Sequence, residues 1–167
     1  MTKRKTPSSV ARKSPRSATT KRATTKRTPA DTFSPEERAA MRERARELKA
    51  TRTRKGDAGD EPAVLATIAA MEQPGRAMAE RIHAIIRAVA PGLVPRLWYG
   101  MPAWARDGKV VCFFQHPRKF NTRYVTFAFT DRATLDDGAM WSTGFALQAL
   151  GPEEEQRIRA LVERAVR

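Results

Sequence analysis

Apolar residues recur with a regular period only from about residue 34 onward. The first periodic block opens Ser34-Pro35-Glu36-Glu37, with serine as N-cap, proline at the first helical position and Glu37 completing a capping box. The spacing predicts a helix to about Ala50, ended before Lys55-Gly56. Its charges divide by side. Arg38, Arg42, Arg46 and Lys49 recur at i, i+4, i+8 and i+11 as one ridge, with Glu36, Glu43 and Glu47 nearly opposite. Met41, Ala45 and Leu48 leave a narrow apolar stripe, so the helix is expected to dock weakly on the rest of the chain or to extend a basic surface.

From residue 60 the pattern becomes that of a globular body. A helix opening at Asp60-Glu61-Pro62 sets Val64, Leu65, Ile68 and Met71 on one face, and Gln73-Pro74-Gly75 breaks it. A second helix carries Met78, Ile82, Ile85 and Val89 on one stripe, widened by Ile86, and ends at Pro91-Gly92. His83 falls off that stripe and is expected at the surface. The period then changes to that of strands. Pro102–Arg106 and Lys109–Gln115 flank Asp107-Gly108, a pair suited to a type I′ turn because both central positions need positive φ. Val110–Phe114 is a continuous apolar run, as in a strand buried on both faces. Arg123–Thr130 alternates, and a short strand around Thr143–Gln148 completes the sheet. A last helix starts at Pro152 with Glu153, Glu154 and Glu155 in its first turn and Arg164 near its end, which suits the helix dipole. Its core face is Ile158, Leu161, Val162, Ala165 and Val166. The class expected is α+β: N-terminal helices, an antiparallel sheet of about four strands and a C-terminal helix.

Charge separates this body from what precedes it. Of the net +14, residues 1–30 supply ten basic and no acidic residues, residues 31–55 eight and five, and residues 56–167 fourteen and thirteen. Aromatics divide the other way: of twelve, only Phe33 lies before Trp98. Three segments follow: a disordered cationic arm (1–32), an amphipathic helix and linker (33–59), and the α+β body (60–167). Composed of Lys, Arg, Ser, Thr, Ala and Pro, the arm has too little apolar surface to offset the entropy of ordering. Lys3, Arg4, Lys5, Arg12, Lys13, Arg16, Lys21, Arg22, Lys26 and Arg27 would neutralise phosphates and release counterions, giving sequence-independent, salt-sensitive affinity for DNA or RNA. A solubilising tail is the other reading, and the acid-free Arg/Ser/Thr composition also suits a transit peptide.

Several classes fall away. No apolar run approaches the ~20 residues of a membrane span, so no membrane partner is expected. Cys112 is the single cysteine, which excludes an intrachain disulfide and suits a reducing, cytoplasmic setting, with nucleoid association through the arm. No Walker loop, Rossmann glycine fingerprint or His-Glu-x-x-His motif is present, and no catalytic residue is assigned, so an enzyme is not expected.

The segment Trp98-Tyr99-Gly100-Met101-Pro102-Ala103-Trp104, followed by Asp107-Gly108-Lys109, resembles the YdhG-like family, a domain of unknown function. The resemblance runs from about Val64 to Val166. It includes Phe33–Met41 (Phe-Ser-Pro-Glu-Glu-Arg-Ala-Ala-Met), the Lys109–Gln115 strand and Leu135–Trp141. It implies a compact α+β unit. Because some members are regarded as frataxin-like iron chaperones, it also implies iron carriage as an alternative function. Iron needs an acidic or mixed oxygen and imidazole cluster, whereas the acids here are scattered, so no metal ligand and no cofactor is assigned. Two readings of the aromatic segment stand side by side. Trp98, Tyr99 and Trp104 fill the core, or Trp98, Tyr99, Met101, Pro102, Trp104, Lys109 and Phe114 line a groove for a small ligand or a protein partner.

Overall fold

The computed structural model describes residues 33–53, of which 50–53 as backbone only, and residues 60–167. The expectations for the arm, its ten cationic residues included, lie outside the described residues.

The N-terminal signals of the first helix behave as their chemistry requires. The Ser34 hydroxyl accepts from the Glu37 N–H at 3.1 Å, and the Glu37 carboxylate accepts from the Ser34 N–H at 2.8 Å. Helix α1 spans Pro35–Thr53. Helix α2 (Glu61–Ala69) starts at Asp60, whose carboxylate accepts from the Ala63 N–H. Helix α3 (Gly75–Val89) buries Met78, Ile82, Ile85 and Ile86, as its spacing predicts. It also buries His83, against expectation. Gly75, Ala79 and His83 widen the apolar face by one further row, and the imidazole lies between Glu61 and the Trp104 indole.

Five strands form one antiparallel sheet in chain order: β1 (Val94–Trp98), β2 (Met101–Arg106), β3 (Lys109–Gln115), β4 (Val125–Phe129) and β5 (Gly144–Leu147). Helix α4 is the short turn Pro117–Phe120 between β3 and β4. The strand beyond the four read from the pattern is β1. Val-Pro-Arg-Leu-Trp lacks clean alternation, and a proline argues against a strand except at a sheet edge, where β1 lies. Asp107 and Gly108 have φ of 52° and 74°, the type I′ turn that their identity favours.

Register places Trp104 beside Cys112 and Cys112 beside Phe129, while Phe114 pairs with Phe127. This face joins Val64 and Ile68 of α2, Ile82 and Ile86 of α3, and Ile158 and Val162 of α5 (Pro152–Ala165) in one core. Full burial of each such aliphatic side chain contributes about 1.5–3 kcal/mol. Arg81 on α3 and Glu155 on α5 close the outer edge of that packing with paired contacts of 2.6 and 2.5 Å. Among the described residues no helix is long and apolar enough to cross a membrane.

Candidate functional site

The Trp98–Trp104 segment folds as the β1–β2 hairpin. Tyr99 and Gly100 have φ of 53° and 70°, the same left-handed pair as Asp107-Gly108. Glycine adopts this region freely, whereas a tyrosine there is uncommon and is held by its surroundings. The holding group is Glu47 of α1. Its carboxylate accepts from the Tyr99 N–H at 3.0 Å and from the Gly100 N–H at 2.6 Å. Arg44 pairs with Glu47 at 3.2 Å and lies 5.6 Å from the centre of the Tyr99 ring. One turn earlier, Glu43 pairs with Lys119 of α4 directly above Gly100, where a Cβ would overlap both the carboxylate and the ammonium. Glycine at residue 100 thus suits the left-handed backbone and leaves room for the flexible tips of Glu43 and Lys119.

Helix α1 therefore docks through its acidic side. Ala40 is buried, Glu43, Arg44 and Glu47 are half-buried, and Met41 and Leu48 of the apolar stripe are exposed.

Beneath α1 lies a cavity of about 590 Å³. Met71 from the end of α2, Leu97 of β1, Met101 and Pro102 of β2 and Phe114 of β3 give it an apolar floor. Its rim is charged, and most of those charges are already matched. Glu43 pairs with Lys119, Arg118 pairs with Glu72 at 2.6 Å, and Glu47 holds the turn amides. Arg46 is the rim cation with no hydrogen bond or ion pair among the described residues. His116, also on the rim, accepts from the Arg118 N–H through Nδ1 at 3.3 Å and packs its ring on the backbone of Gly75.

Of the groove residues named from sequence, Met101, Pro102 and Phe114 line this cavity. Tyr99 touches the site through its backbone N–H. Trp98 packs against Phe113 at 5.0 Å with the rings tilted by 59° and meets Tyr99 edge-on at 5.2 Å, on the sheet face opposite Trp104. Trp104 is fully buried in the core, and Lys109 is exposed at the start of β3. Sequence reasoning does not reach Arg46, Glu47, Met71, Leu97, His116 or Lys119 as site residues. They come from α1, the turn after α2, β1 and α4 with its N-cap, and their shared location is a tertiary fact.

Other reactive groups are engaged in the core. Burial pushes the Cys112 thiol far above the usual thiol range, so it stays protonated and inert. His83 donates from Nε2 toward Glu61 at 3.1 Å, and burial pushes its pKa down despite that carboxylate. The His83 Nδ1 and the Trp104 Nε1 are buried without a protein partner. Asp137 pairs with Arg164, which also donates to the carbonyls of Leu135 and Asp136. Among the described residues no three His, Cys, Asp or Glu side chains are grouped as metal ligands. No family model, curated protein or solved structure matches the chain.

Proposed function

We propose that the body is a binding module for a small amphipathic anion, held in the cavity under α1. The supporting observation is the combination of an apolar floor with a rim cation, Arg46, that is unmatched among the described residues. A hydrocarbon or aromatic body displaces water from the half-buried Met71 and Leu97 at about 25 cal/mol per Å² of apolar surface, over a floor closed below by Met101 and Phe114. A carboxylate or sulfonate on the same molecule completes Arg46, whose planar guanidinium suits such groups. A cationic ligand would meet the same unmatched charge with repulsion, and a neutral one would leave it unused. The cavity volume lies within the usual range for small-molecule sites, roughly 300–1,000 Å³. The cationic segment 1–30 adds a sequence-independent attraction to nucleic acid, supported by its ten basic and no acidic residues.

The test uses anilinonaphthalene sulfonate, an aromatic body bearing one anionic group, titrated into the full chain and read by fluorescence. Saturable binding at one site is expected, displaced by octanoate and not by octylamine. Arg46→Gln weakens binding about tenfold, the equivalent of one charge-assisted hydrogen bond. Ala70→Trp, at an exposed lining residue, fills the cavity and abolishes binding without lowering the melting temperature. Binding that is unsaturable, or indifferent to both substitutions, overturns the reading.

A further inference from the structure

Docking of α1 sorts its charges, and beyond its first turn what is left outward over residues 38–49 is of one sign. Each of the four acids of the helix has an engagement. Glu37 closes the capping box with Ser34. The Glu36 carboxyl is held below the usual range by hydrogen bonds from its own backbone N–H and the Ser34 hydroxyl. Glu43 sits on Lys119, and Glu47 on the Tyr99 and Gly100 amides. Arg44 also turns inward, over Tyr99. The remaining cations of residues 35–49, Arg38, Arg42, Arg46 and Lys49, are all exposed, Arg38 with an interaction of its own. Arg42 and Lys49, like Arg46, have no ion pair or hydrogen bond from their side chains among the described residues.

We infer that the outer face of α1 is a phosphate-backbone interface for nucleic acid. A helix whose overall composition is mixed becomes one-sidedly cationic over residues 38–49 when the body takes Glu43 and Glu47, while the exposed Glu36 and Glu37 stay at the Ser34 cap. The ridge from Arg38 to Lys49 is about 16 Å long at 1.5 Å per residue. One strand of a duplex presents a phosphate about every 3.4 Å of its axis, so the ridge faces four or five of them. Side chains four residues apart stand about 6 Å apart along the helix, and each long flexible stem reaches a different phosphate. The apolar residues beside the ridge, Met41 and Leu48, are single exposed side chains with no aromatic among them, which favours contact with the backbone over stacking on bases. Residues 1–30, which precede the helix in the sequence, carry ten further basic residues. Arg46 stands at the cavity lip as well as on the ridge, and for that reason it is left unchanged in the test.

The proposal extends the nucleic-acid reading of residues 1–30 onto a folded surface, and the experiment separates the two. Affinity of the full chain for a random-sequence 20-base-pair DNA duplex is measured across a salt series for three variants. One carries Arg38→Gln, Arg42→Gln and Lys49→Gln; a second has the ten cations of residues 1–30 changed to Gln; a control has Arg157→Gln, Arg159→Gln and Arg167→Gln on α5 and the residues after it. Loss of three phosphate contacts makes the slope of log K against log salt shallower by about 2 to 3. That change is expected in the ridge variant and not in the equally discharged control. A ridge variant that matches the wild type or the control overturns the interface, while the arm reading stands or falls with the second variant alone. If the ridge variant keeps its affinity for DNA and instead loses binding to phosphatidylserine vesicles, the surface serves a lipid and the proposal is overturned.

Discussion

Replacing Glu47 with alanine should release α1 from the body without unfolding the body. The carboxylate accepts two amide N–H groups, at 3.0 and 2.6 Å, and its side chain is only 13 % exposed, so solvent screens these bonds little. Hydrogen bonds to a charged group contribute about 1.5–3 kcal/mol each. Part of that returns when water reaches the freed amides, leaving a net loss of about 2–4 kcal/mol. What else holds the helix is small. The Glu43–Lys119 pair is partly exposed and of a type that contributes about 0–1 kcal/mol, and Ala40 is the buried apolar residue of α1. A detached helix of this length is marginal in water. Hydrogen exchange read by mass spectrometry is the assay. Amides of residues 40–49, and those of Tyr99 and Gly100, should exchange at least about 30-fold faster, the equivalent of 2 kcal/mol. Amides of α3, packed through Ile82 and Ile86, should keep their protection. Glu47→Gln retains one acceptor oxygen and should fall between. Unchanged protection in α1, or a loss spread equally into α3, would refute the claim that two turn amides hold this helix.

Gly100→Ala should speed exchange in α1 by less than Glu47→Ala, since it strains a φ of 70° and pushes aside only the flexible tips of Glu43 and Lys119 while the turn amides keep Glu47; Gly138→Ala, also at positive φ but in open space, should cost only the backbone term of about 1 kcal/mol. The pH dependence of stability should carry a His83 component. Because the folded-state pKa is depressed, the unfolded chain binds the proton first, so this component is complete above about pH 6.5 and is lost as pH falls below it. Urea unfolding at pH 7.5 and pH 5 should therefore show a larger acid loss for wild type than for His83→Gln, and equal losses would contradict the buried neutral imidazole. Cys112 should resist a disulfide thiol reagent at pH 8 until denaturant unfolds the chain, and rapid labelling of the native protein would show the strand to be open.

The legibility of this fold differs from turn to turn. Asp107-Gly108 announced its hairpin because both residues tolerate positive φ. Tyr99-Gly100 makes the same turn, yet tyrosine carries no such signal, and the force that holds it comes from a helix some fifty residues away. Strand β1 was hidden for a related reason: Pro95 breaks the strand pattern and is tolerated only because β1 lies at the edge. The apolar faces of α3 and α5 were read correctly from spacing alone, since burial of Ile82 or Val162 follows directly from period. His83 was misplaced because a polar side chain one row off the stripe looks solvent-facing until Glu61 and Trp104 close over it. For α1, the usual rule that apolar residues mark the docked side fails. Met41 and Leu48 face water, and Glu43 and Glu47 make the contact, because the surface they meet presents amide donors and an ammonium. Three residues of the cavity floor were named in advance because they belong to one conspicuous segment and its neighbouring strand. The rim was not, because its members share only a location.

Strand order in the sheet follows chain order, and β1, β2 and β3 are joined by two-residue turns. Neighbours so close in sequence lose little entropy on meeting, so the sheet needs almost no long-range search. Two distant closures are left to the chain: α1 onto the β1–β2 turn and α4, where Glu43–Lys119 bridges 76 residues, and α5 onto α3, where Arg81–Glu155 bridges 74. During synthesis, which proceeds from the N-terminus, the β1–β3 meander and the apolar floor it supplies are complete while residues 152–165 have yet to be added. The part of the core that Ile158 and Val162 close consequently stays open to water until that helix has been made and packed against α3.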